Sequence, residues 1–351
     1  MTPSDFSLGE VGAAFAPSAV TLERPRRRGL ERSAMVLGLA LYSGLLLGLY
    51  QLGSKLVPDA VSVRIAGHSL DLSNVHARLL SNAMVLLTML PGALWLEVLL
   101  VGWRGSSLRQ MLTAPTASTK TDIAFFALAQ GHVMDVVAKV MLLGASMISG
   151  LWLRDWIAAT FGFELDGGVL PIAAQIPIYF LVYTFCDYWT HRLDHTRYFW
   201  PVHRFHHAAT EFCVVTATRE HPAAFASIFL INVPMAVLGA TPEAMIYVNV
   251  AITALGFLIH SRIDSGWGWI GRWVVQSPNH HRLHHKLDMT HPTGHFSTAP
   301  LWDHLFGTWC GDADQTLPIG VDTHYRHGFW IAPDLLRDYW DFWRGWFRRA
   351  A

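Results

Sequence analysis

Three clusters of histidine are the residues of this sequence best suited to chemistry. In each cluster the first histidine is followed by others three or four positions later, so on a helix their side chains share one face, about 5–6 Å apart at Cβ. Neutral imidazole is the commonest metal ligand among protein side chains, and the spacing predicts that each cluster aims its imidazoles at one point. The clusters are His191 with His195; His203 with His206 and His207; and His281 with His284 and His285.

These imidazoles are too numerous for a single ion, because zinc usually takes about four ligands, and so they predict two metal ions. A single histidine on an apolar helix is more often a hydrogen-bonded core residue, but three clusters at helical spacing in a hydrophobic chain favour a metal site. Nitrogen ligands suit iron and equally suit zinc. The ligand type alone therefore leaves the identity of the metal open.

The composition is that of a membrane protein. Of the 351 residues, 52% are hydrophobic and 15% are charged, whereas an ordinary soluble domain is about 25% charged. The formal net charge of zero gives no indication of nucleic-acid binding. The three cysteines, Cys186, Cys213 and Cys310, form no paired motif and are predicted to be reduced, packed side chains.

Several apolar stretches reach the length of about 20 residues that crosses a bilayer. The predicted spans are residues 33–54, 79–103, 136–153 and 167–186, followed by a hairpin of 222–242 and 244–261 that is either full or shallow. A basic cluster between Arg24 and Arg32 precedes the first span and predicts a cytoplasmic N-terminus. Counting crossings from there places all three histidine clusters at one cytoplasmic face, as a shared metal site requires.

Further motifs accompany the clusters, in an order and spacing that resemble the fatty acid hydroxylase/sterol desaturase superfamily of integral-membrane, non-haem di-iron enzymes. The resemblance covers roughly residues 175–310. Its motifs are Tyr188-Trp189-Thr190-His191-Arg192, Arg219-Glu220-His221-Pro222, Ile259-His260-Ser261 and Trp302-Asp303 with Phe306-Gly307-Thr308, together with the three clusters. The sequence departs from many members, which carry Asn-Tyr-Gly where residues 293–296 here read Thr-Gly-His-Phe.

The resemblance implies an all-α fold, an integral-membrane helical bundle of four to six spans with a cytosolic helical cap that holds a histidine-rich dimetal site. Together with the apolar stretches, this predicts four parts of the chain: a basic cytoplasmic tail (1–32), N-terminal transmembrane helices (33–160), a histidine-box hydroxylase/desaturase domain (161–312) and a C-terminal interfacial segment (313–351). The implied iron ligands are His191, His195, His203, His206, His207, His260, His281, His284 and His285. The candidates for a further ligand, or for a group that supports the ligands, are His221, His280, Asp187, Asp194 and Asp303.

The predicted function is oxidation of a lipid C–H bond, either to a hydroxyl or to a double bond, by two iron ions with O₂ as co-substrate. Inert C–H bonds need a metal oxidant, because acid–base side chains cannot cleave them. No flavin or haem motif is present, so the electrons are expected from an external donor, similar to cytochrome b5 or ferredoxin. The alternative hypothesis is a di-zinc membrane hydrolase or a metal-handling membrane protein that uses the same histidines.

Overall fold

The computed structural model describes most of the chain beyond residue 24. The described residues are 25–65, 68–72, 75–76, 83, 85–133, 145–163, 165–287, 294–311 and 316–347. As predicted, these residues are predominantly helical.

The first helix, α1 (Pro25–Leu56), contains the predicted first span. Its segment Val36–Leu56 has a mean hydropathy of 1.5 and is not buried against the rest of the protein. With a rise of about 1.5 Å per residue, a segment of this length matches the roughly 30 Å hydrocarbon core of a bilayer. The helix starts at Pro25, within the predicted tail of residues 1–32, and runs without a break into the apolar segment.

A two-stranded antiparallel hairpin departs from the all-helical prediction. Strand β1 (Val61–Ile65) pairs with β2 (His68–Leu72) in the register Val61 to Leu72. The sequence pattern typical of a hairpin was present, because apolar and polar residues alternate along 61–65 and 69–72. Only two residues, 66 and 67, connect the two strands.

The predicted second span is described from residue 85 as a π-helix (Val85–Met89) that continues as α2 (Leu90–Val101). Glu97 of this helix is fully buried, and its carboxylate accepts from the backbone N–H of Ser107 at 2.6 Å and of Arg262 at 2.7 Å. These bonds hold the end of α2 to two other segments, which gives this buried acidic residue a structural role.

Three further helices follow: α3 (Ser107–Thr113), α4 (Ala117–Gln130) and α5 (Ala145–Phe161). Helix α5 covers the second part of the predicted span 136–153. It differs from the prediction in continuing past Arg154 and Asp155, where the span was expected to end.

A long helix, α6 (Ile172–Asp194), carries His191 of the first histidine cluster in its last turn and is followed directly by His195. It packs against the hairpin of α8 (Phe225–Val237) and α9 (Pro242–Ile259), and the shared core includes Tyr179, Ile231, Met235 and Val248. Helix α8 has 13 residues and therefore extends about 20 Å, less than the roughly 30 Å core of a bilayer. This length favours the shallow form of the predicted hairpin.

Among the described helices, α1 alone meets the length and hydropathy expected of a full span. Two shorter apolar helical stretches are Val85–Val101 and Glu243–Ile259. The number of crossings, four to six, therefore stays a prediction.

The remaining helices are short, apart from the last. They are α7 (Trp200–His207), α10 (Gly268–Trp273), α11 (Pro278–His284), α12 (Leu301–Leu305) and α13 (Ala332–Phe347). Helix α13 is amphipathic: Asp338 and Phe342 are buried against α7, whereas Trp340 is 56% and Phe347 71% exposed. Arg204 of α7 donates to Asp338 and Asp341 at 2.6 Å each, which fastens the C-terminal helix to the second histidine cluster.

A buried ion pair joins α4 to the histidine region. Arg219 and Asp122 are both fully buried, and Arg219 Nε donates to Asp122 Oδ1 at 2.6 Å. Arg219 also donates through Nη2 to the backbone carbonyl of Ser118 at 2.8 Å, and Thr216 Oγ1 donates to Asp122 Oδ2 at 2.8 Å. The pair thus fixes the backbone of residues 216–219 against α4.

We expect Asp122→Ala to lower the free energy of unfolding by about 3–5 kcal/mol, because it leaves the guanidinium of Arg219 buried without its counter-charge. The measurement is denaturant unfolding of the full chain in detergent micelles. The matched control is Asp322→Ala, which removes an exposed carboxylate and is expected to change stability by no more than about 0.5 kcal/mol. Equal stability of the two variants would contradict the structural role of the pair.

Candidate metal centre

The ends of four helices converge and bring together all nine histidines for which a ligand role was expected. Helix α6 carries His191 in its last turn and is followed by His195, and α9 is followed by His260. Helix α7 carries the second cluster, and α11 carries His281 and His284 and is followed by His285. These helices meet at their C-terminal ends, and the histidines lie in the last two turns of each helix or just beyond it. The convergence concentrates imidazole nitrogen in one buried region.

The nine histidines separate into two groups. The ligand atoms within each group lie within 4.8 Å of one another. The first group is His191, His195, His203, His207 and His284. The second group is His206, His260, His281 and His285. Two groups of this size match the expectation of two ions, each with at least four nitrogen donors.

The second and third clusters are each divided between the two groups, which the spacing argument did not predict. On α7, His203 and His207 face the first group while His206 faces the second. Helix geometry explains the division, because adjacent positions differ by about 100° around the axis. The rings of His207 and His285 stack across the boundary with their centroids 4.1 Å apart. The two groups are therefore adjacent.

Backbone and side-chain carbonyls fix the tautomer of several of these histidines. In the first group, the Nδ1 atoms of His191 and His284 lie 2.7 and 2.8 Å from the carbonyl oxygens of Phe296 and Gly294.

In the second group, the Nδ1 atoms of His206, His260 and His281 lie 3.1, 2.8 and 3.0 Å from Arg219 O, Gly256 O and Gln276 Oε1. A carbonyl oxygen only accepts, so in all five histidines Nδ1 donates. In the neutral ring, Nε2 then carries a free lone pair.

The facing Nε2 atoms show that the donor set fits a cation. His191 Nε2 and His284 Nε2 are 2.9 Å apart, and so are His260 Nε2 and His281 Nε2. Burial lowers the pKa of His191 to about 4 and lowers the pKa of His284 and His281 well below the usual value. These rings are neutral near pH 7, so lone pairs face each other with no proton between them. A bound cation relieves this repulsion.

Unsatisfied ring nitrogens give a second indication of the same fit. Neither ring nitrogen of buried His285 has a hydrogen-bond partner, and Nδ1 of His207 also has none. A buried polar atom without a partner costs about 1–3 kcal/mol. Coordination of a metal ion through one nitrogen removes part of that cost at His285.

Asp303, one of the predicted supporting carboxylates, holds the loop that orients the first group. It is fully buried and accepts from the backbone N–H of Phe296 at 2.8 Å and of Ser297 at 3.1 Å, and from Thr308 Oγ1 at 2.7 Å. The carbonyls of this loop, at Gly294 and Phe296, are the ones that accept from His284 and His191. Asp303 thus supports two histidines through the backbone, as carboxylates commonly do around metal ligands.

The other two predicted carboxylates differ in their contacts, and only Asp194 lies beside a histidine of the groups. Asp194 Oδ2 is 3.9 Å from Nδ1 of His203, and Asp187 Oδ2 accepts from Thr298 Oγ1 at 3.3 Å.

The two remaining candidate histidines stand outside both groups. His221 accepts at Nδ1 from the N–H of Ala223 and donates through Nε2 to the carbonyl of Leu335 on α13, both at 3.0 Å, so it has no nitrogen left for a metal. The ring of His280 stacks on His295 at 5.1 Å.

A cavity of about 390 Å³ opens beside the two groups. One part of its wall is formed by histidines of both groups, including His203, His206 and His281, and another part by the apolar side chains of Ile231 and Ile252. The volume falls within the roughly 300–1,000 Å³ of small-molecule sites. The cavity therefore joins a chemically active end to a hydrocarbon-like end.

Three carboxyl groups also line this cavity: Asp187, Asp194 and Glu220. Burial raises the pKa of Asp187 to about 7, whereas the side chain of Glu220 is half-exposed. Burial raises the pKa of Asp194 as well. The wall next to the histidines thus carries carboxyl groups as well as imidazoles.

Two supporting residues were missed by the sequence argument. Gln276 accepts from His281 Nδ1 at 3.0 Å and donates through Nε2 to the carbonyl of His295 at 2.7 Å. The available signal in the sequence was the position of this polar side chain beside the helix-capping Ser277, just ahead of the third cluster. Asp122 acts at longer range through Arg219, and no local pattern connects two residues so far apart in the chain.

Comparison with known proteins agrees with this geometry. The fatty acid hydroxylase family model matches residues 176–308. Ornithine lipid hydroxylase OlsE of Rhizobium tropici is 28% identical over 163 residues, which cover 45% of this chain and 49% of the relative. Methylsterol monooxygenase 1-2 of Arabidopsis thaliana is 26% identical over 145 residues, 40% of this chain and 48% of the relative. The chain spans about half the length of these curated relatives. No solved structure matches it.

Proposed function

Because residues 176–308 belong to the fatty acid hydroxylase/sterol desaturase superfamily, we propose that the chain is a membrane-bound oxidoreductase that uses O₂ to oxidise a C–H bond of a lipid. The observation that carries the proposal is the sorting of nine histidines into two adjacent groups beside one cavity. Both curated relatives are named for oxygen insertion, which favours hydroxylation over desaturation as the reaction.

We assign one iron ion to each group, with the nine histidines as ligands. All-nitrogen ligation fits iron and zinc alike, and the choice of iron follows from the reaction, because cleavage of an unactivated C–H bond is redox chemistry that belongs to a cofactor. Bound iron would supply the activation of O₂, with electrons from an external donor protein. The carbonyls that accept from the Nδ1 atoms would keep each Nε2 aimed at its ion.

The cavity supports a lipid substrate, in the class of sterols, fatty acyl chains and related molecules. Its apolar wall, with Ile231, Ile252 and Phe257, would hold an alkyl segment, and the histidine wall would receive the carbon to be oxidised. Burial of the alkyl segment stabilises the complex by about 0.8 kcal/mol per CH₂ group.

We further propose the membrane arrangement that the sequence predicted. Residues 33–160 would anchor the chain, residues 161–312 would form the catalytic domain, and both the N-terminus and the metal site would face the cytoplasm. The C-terminal segment would lie in the interface through α13, whose exposed face carries Trp340, Trp343 and Phe347. Aromatic residues of this kind are enriched at membrane interfaces.

The second candidate remains a di-zinc hydrolase or a metal-handling protein. The observation in its favour is the set of carboxyl groups in the cavity wall, Asp187, Asp194 and Glu220, because a hydrolase needs a base beside its metal-bound water.

Metal analysis of the purified chain separates the two candidates. We expect about two irons per chain, matching the two histidine groups, in protein kept anaerobic and measured by mass spectrometry. Addition of O₂, a reductant and lipid extract should then yield a hydroxylated lipid. Zinc alone, with no O₂-dependent product after reconstitution with iron(II), would overturn the oxygenase and favour the hydrolase.

A further inference from the structure

A run of packed aromatic rings connects the surface of the protein to the interior beside the metal centre. The rings belong to Trp273, His304, Trp309 and His295. The centroids of Trp273 and His304 are 3.9 Å apart, those of His304 and Trp309 are 4.5 Å apart, and those of Trp309 and His295 are 4.5 Å apart. Trp273 is 39% exposed and His295 is 1% exposed. The run therefore leads from solvent to the core through rings in contact.

The inner end of this run is bonded to both histidine groups. His284 of the first group donates through Nδ1 to the carbonyl of Gly294 at 2.8 Å, one peptide unit from His295. Gln276 makes the second link, since it accepts from Nδ1 of His281 at 3.0 Å and donates to the carbonyl of His295 at 2.7 Å. The backbone at residues 294 and 295 is thus one hydrogen bond from the first group and one side chain from the second.

His295 is held in this position at a cost. Its φ of +58° lies in the left-handed region, which is unfavourable for a non-glycine residue by about 1–3 kcal/mol. The ring of His295 stacks on His280 at 5.1 Å, and its Nε2 lies 2.7 Å from the carbonyl oxygen of Gly311. At the outer end, His304 Nε2 lies 2.9 Å from the carbonyl oxygen of Arg272. The rings are therefore fixed by the surrounding structure at both ends.

We propose that this run of rings is the route by which electrons from a small one-electron carrier protein, one that holds a haem or an iron–sulfur cluster, reach the two histidine groups. The inference rests on the proposed function. Hydroxylation joins one atom of O₂ to the substrate C–H bond and releases the other as water, so each turnover consumes two electrons and two protons in addition to O₂. Two reduced carriers are oxidised per product.

The route would give electrons a way to the ions that is separate from the lipid cavity. The cavity would be filled by substrate, so a carrier protein cannot approach the ions from that side. The run lies outside the cavity, because none of its four rings is among the residues that line it. Electrons and substrate thus arrive by separate paths.

The test is flash reduction of full-length, iron-loaded protein in detergent. A ruthenium photoreductant is attached to the cysteine introduced by Arg272→Cys, next to Trp273, in a Cys310→Ser background. The other two cysteines are buried, so the label goes to one position. The rate of iron reduction after the flash, without O₂, is compared between the chain with Trp309 and the variants Trp309→Leu and Trp309→Phe.

We expect Trp309→Leu to slow iron reduction by about tenfold, and Trp309→Phe, which keeps a ring, to restore most of the rate. Trp330→Leu, a change at a tryptophan that is 84% exposed and outside the run, should leave the rate unchanged. Hydrogen peroxide supplies both the oxygen and the electrons, so peroxide-driven hydroxylation should be equal in all these variants. If Trp309→Leu fails to retain iron, His304→Leu takes its place.

The outcomes separate the route from the proposed function. Equal rates of reduction with Trp309, with leucine and with phenylalanine would overturn the route, while peroxide-driven turnover would still support the oxygenase. Absence of any reducible metal in the labelled parent protein would overturn the oxygenase and the route with it.

Discussion

Alanine at His284 or at His206 is expected to abolish lipid oxidation and to lower metal content, each through a different group. His284 belongs to the first group and His206 to the second. Both are buried, and both have Nδ1 bonded to a backbone carbonyl, at Gly294 and Arg219 respectively, so their Nε2 atoms are available to a metal. Loss of either leaves its group with one nitrogen fewer.

The two variants should lose different ions. His284→Ala leaves the four histidines of the second group intact, and His206→Ala leaves the five of the first group intact. Mössbauer spectroscopy of iron-reconstituted protein should therefore show loss of one component in His284→Ala and of the other in His206→Ala. A one-site protein still binds iron but should not turn over, because the proposed reaction needs both ions.

His324→Ala is the matched control, since His324 is exposed and belongs to neither group. It should retain metal and turnover at the level of the unchanged protein. Full activity in either ligand variant would contradict the ligand assignment. Loss of the same spectral component in both variants would contradict the division into two groups while leaving the ligands in place.

The sequence predicted the helix that carries the second histidine cluster, but not the division of its histidines between two groups. The spacing of His203, His206 and His207 predicted a helix with imidazoles along it, and α7 has that form. The division was not evident, because the spacing places the three histidines around one helix but does not tell which histidines from segments distant in sequence face each of them.

The residues that support the histidine ligands were also only partly evident from the sequence. Asp303 was a candidate from its place in a motif, but its partners, the N–H groups of Phe296 and Ser297, follow only from the fold of the loop. Asp122 was not a candidate at all, because its pairing with Arg219 is made across nearly a hundred positions. Local patterns indicate which residues can do chemistry, whereas the contacts that orient them are long-range.

Substitution of Asp303 by asparagine is expected to weaken metal binding in the first group selectively. The carboxylate accepts three hydrogen bonds, from the N–H groups of Phe296 and Ser297 and from Thr308 Oγ1. An amide has one acceptor oxygen, so its NH₂ group would face a donor wherever it points. At least one of the three bonds is lost, and the loop moves to relieve the contact.

Movement of the loop displaces the carbonyls that orient two ligands. Gly294 O and Phe296 O accept from Nδ1 of His284 and His191, and both histidines belong to the first group. Loss of such a support typically costs about 10–100-fold in metal affinity. We expect a fall of this size at the first group, measured by competition with a chelator.

The second group should be affected less, because His206 and His260 bond to Arg219 and Gly256, which lie outside the loop. Asp322→Asn, at an exposed position, controls for the general loss of a carboxylate and should bind metal normally. Equal weakening of both groups in Asp303→Asn would indicate that the loop supports the whole centre through Gln276, whose Nε2 donates to the carbonyl of His295. Unchanged affinity in both groups would show that Asp303 does not orient the ligands.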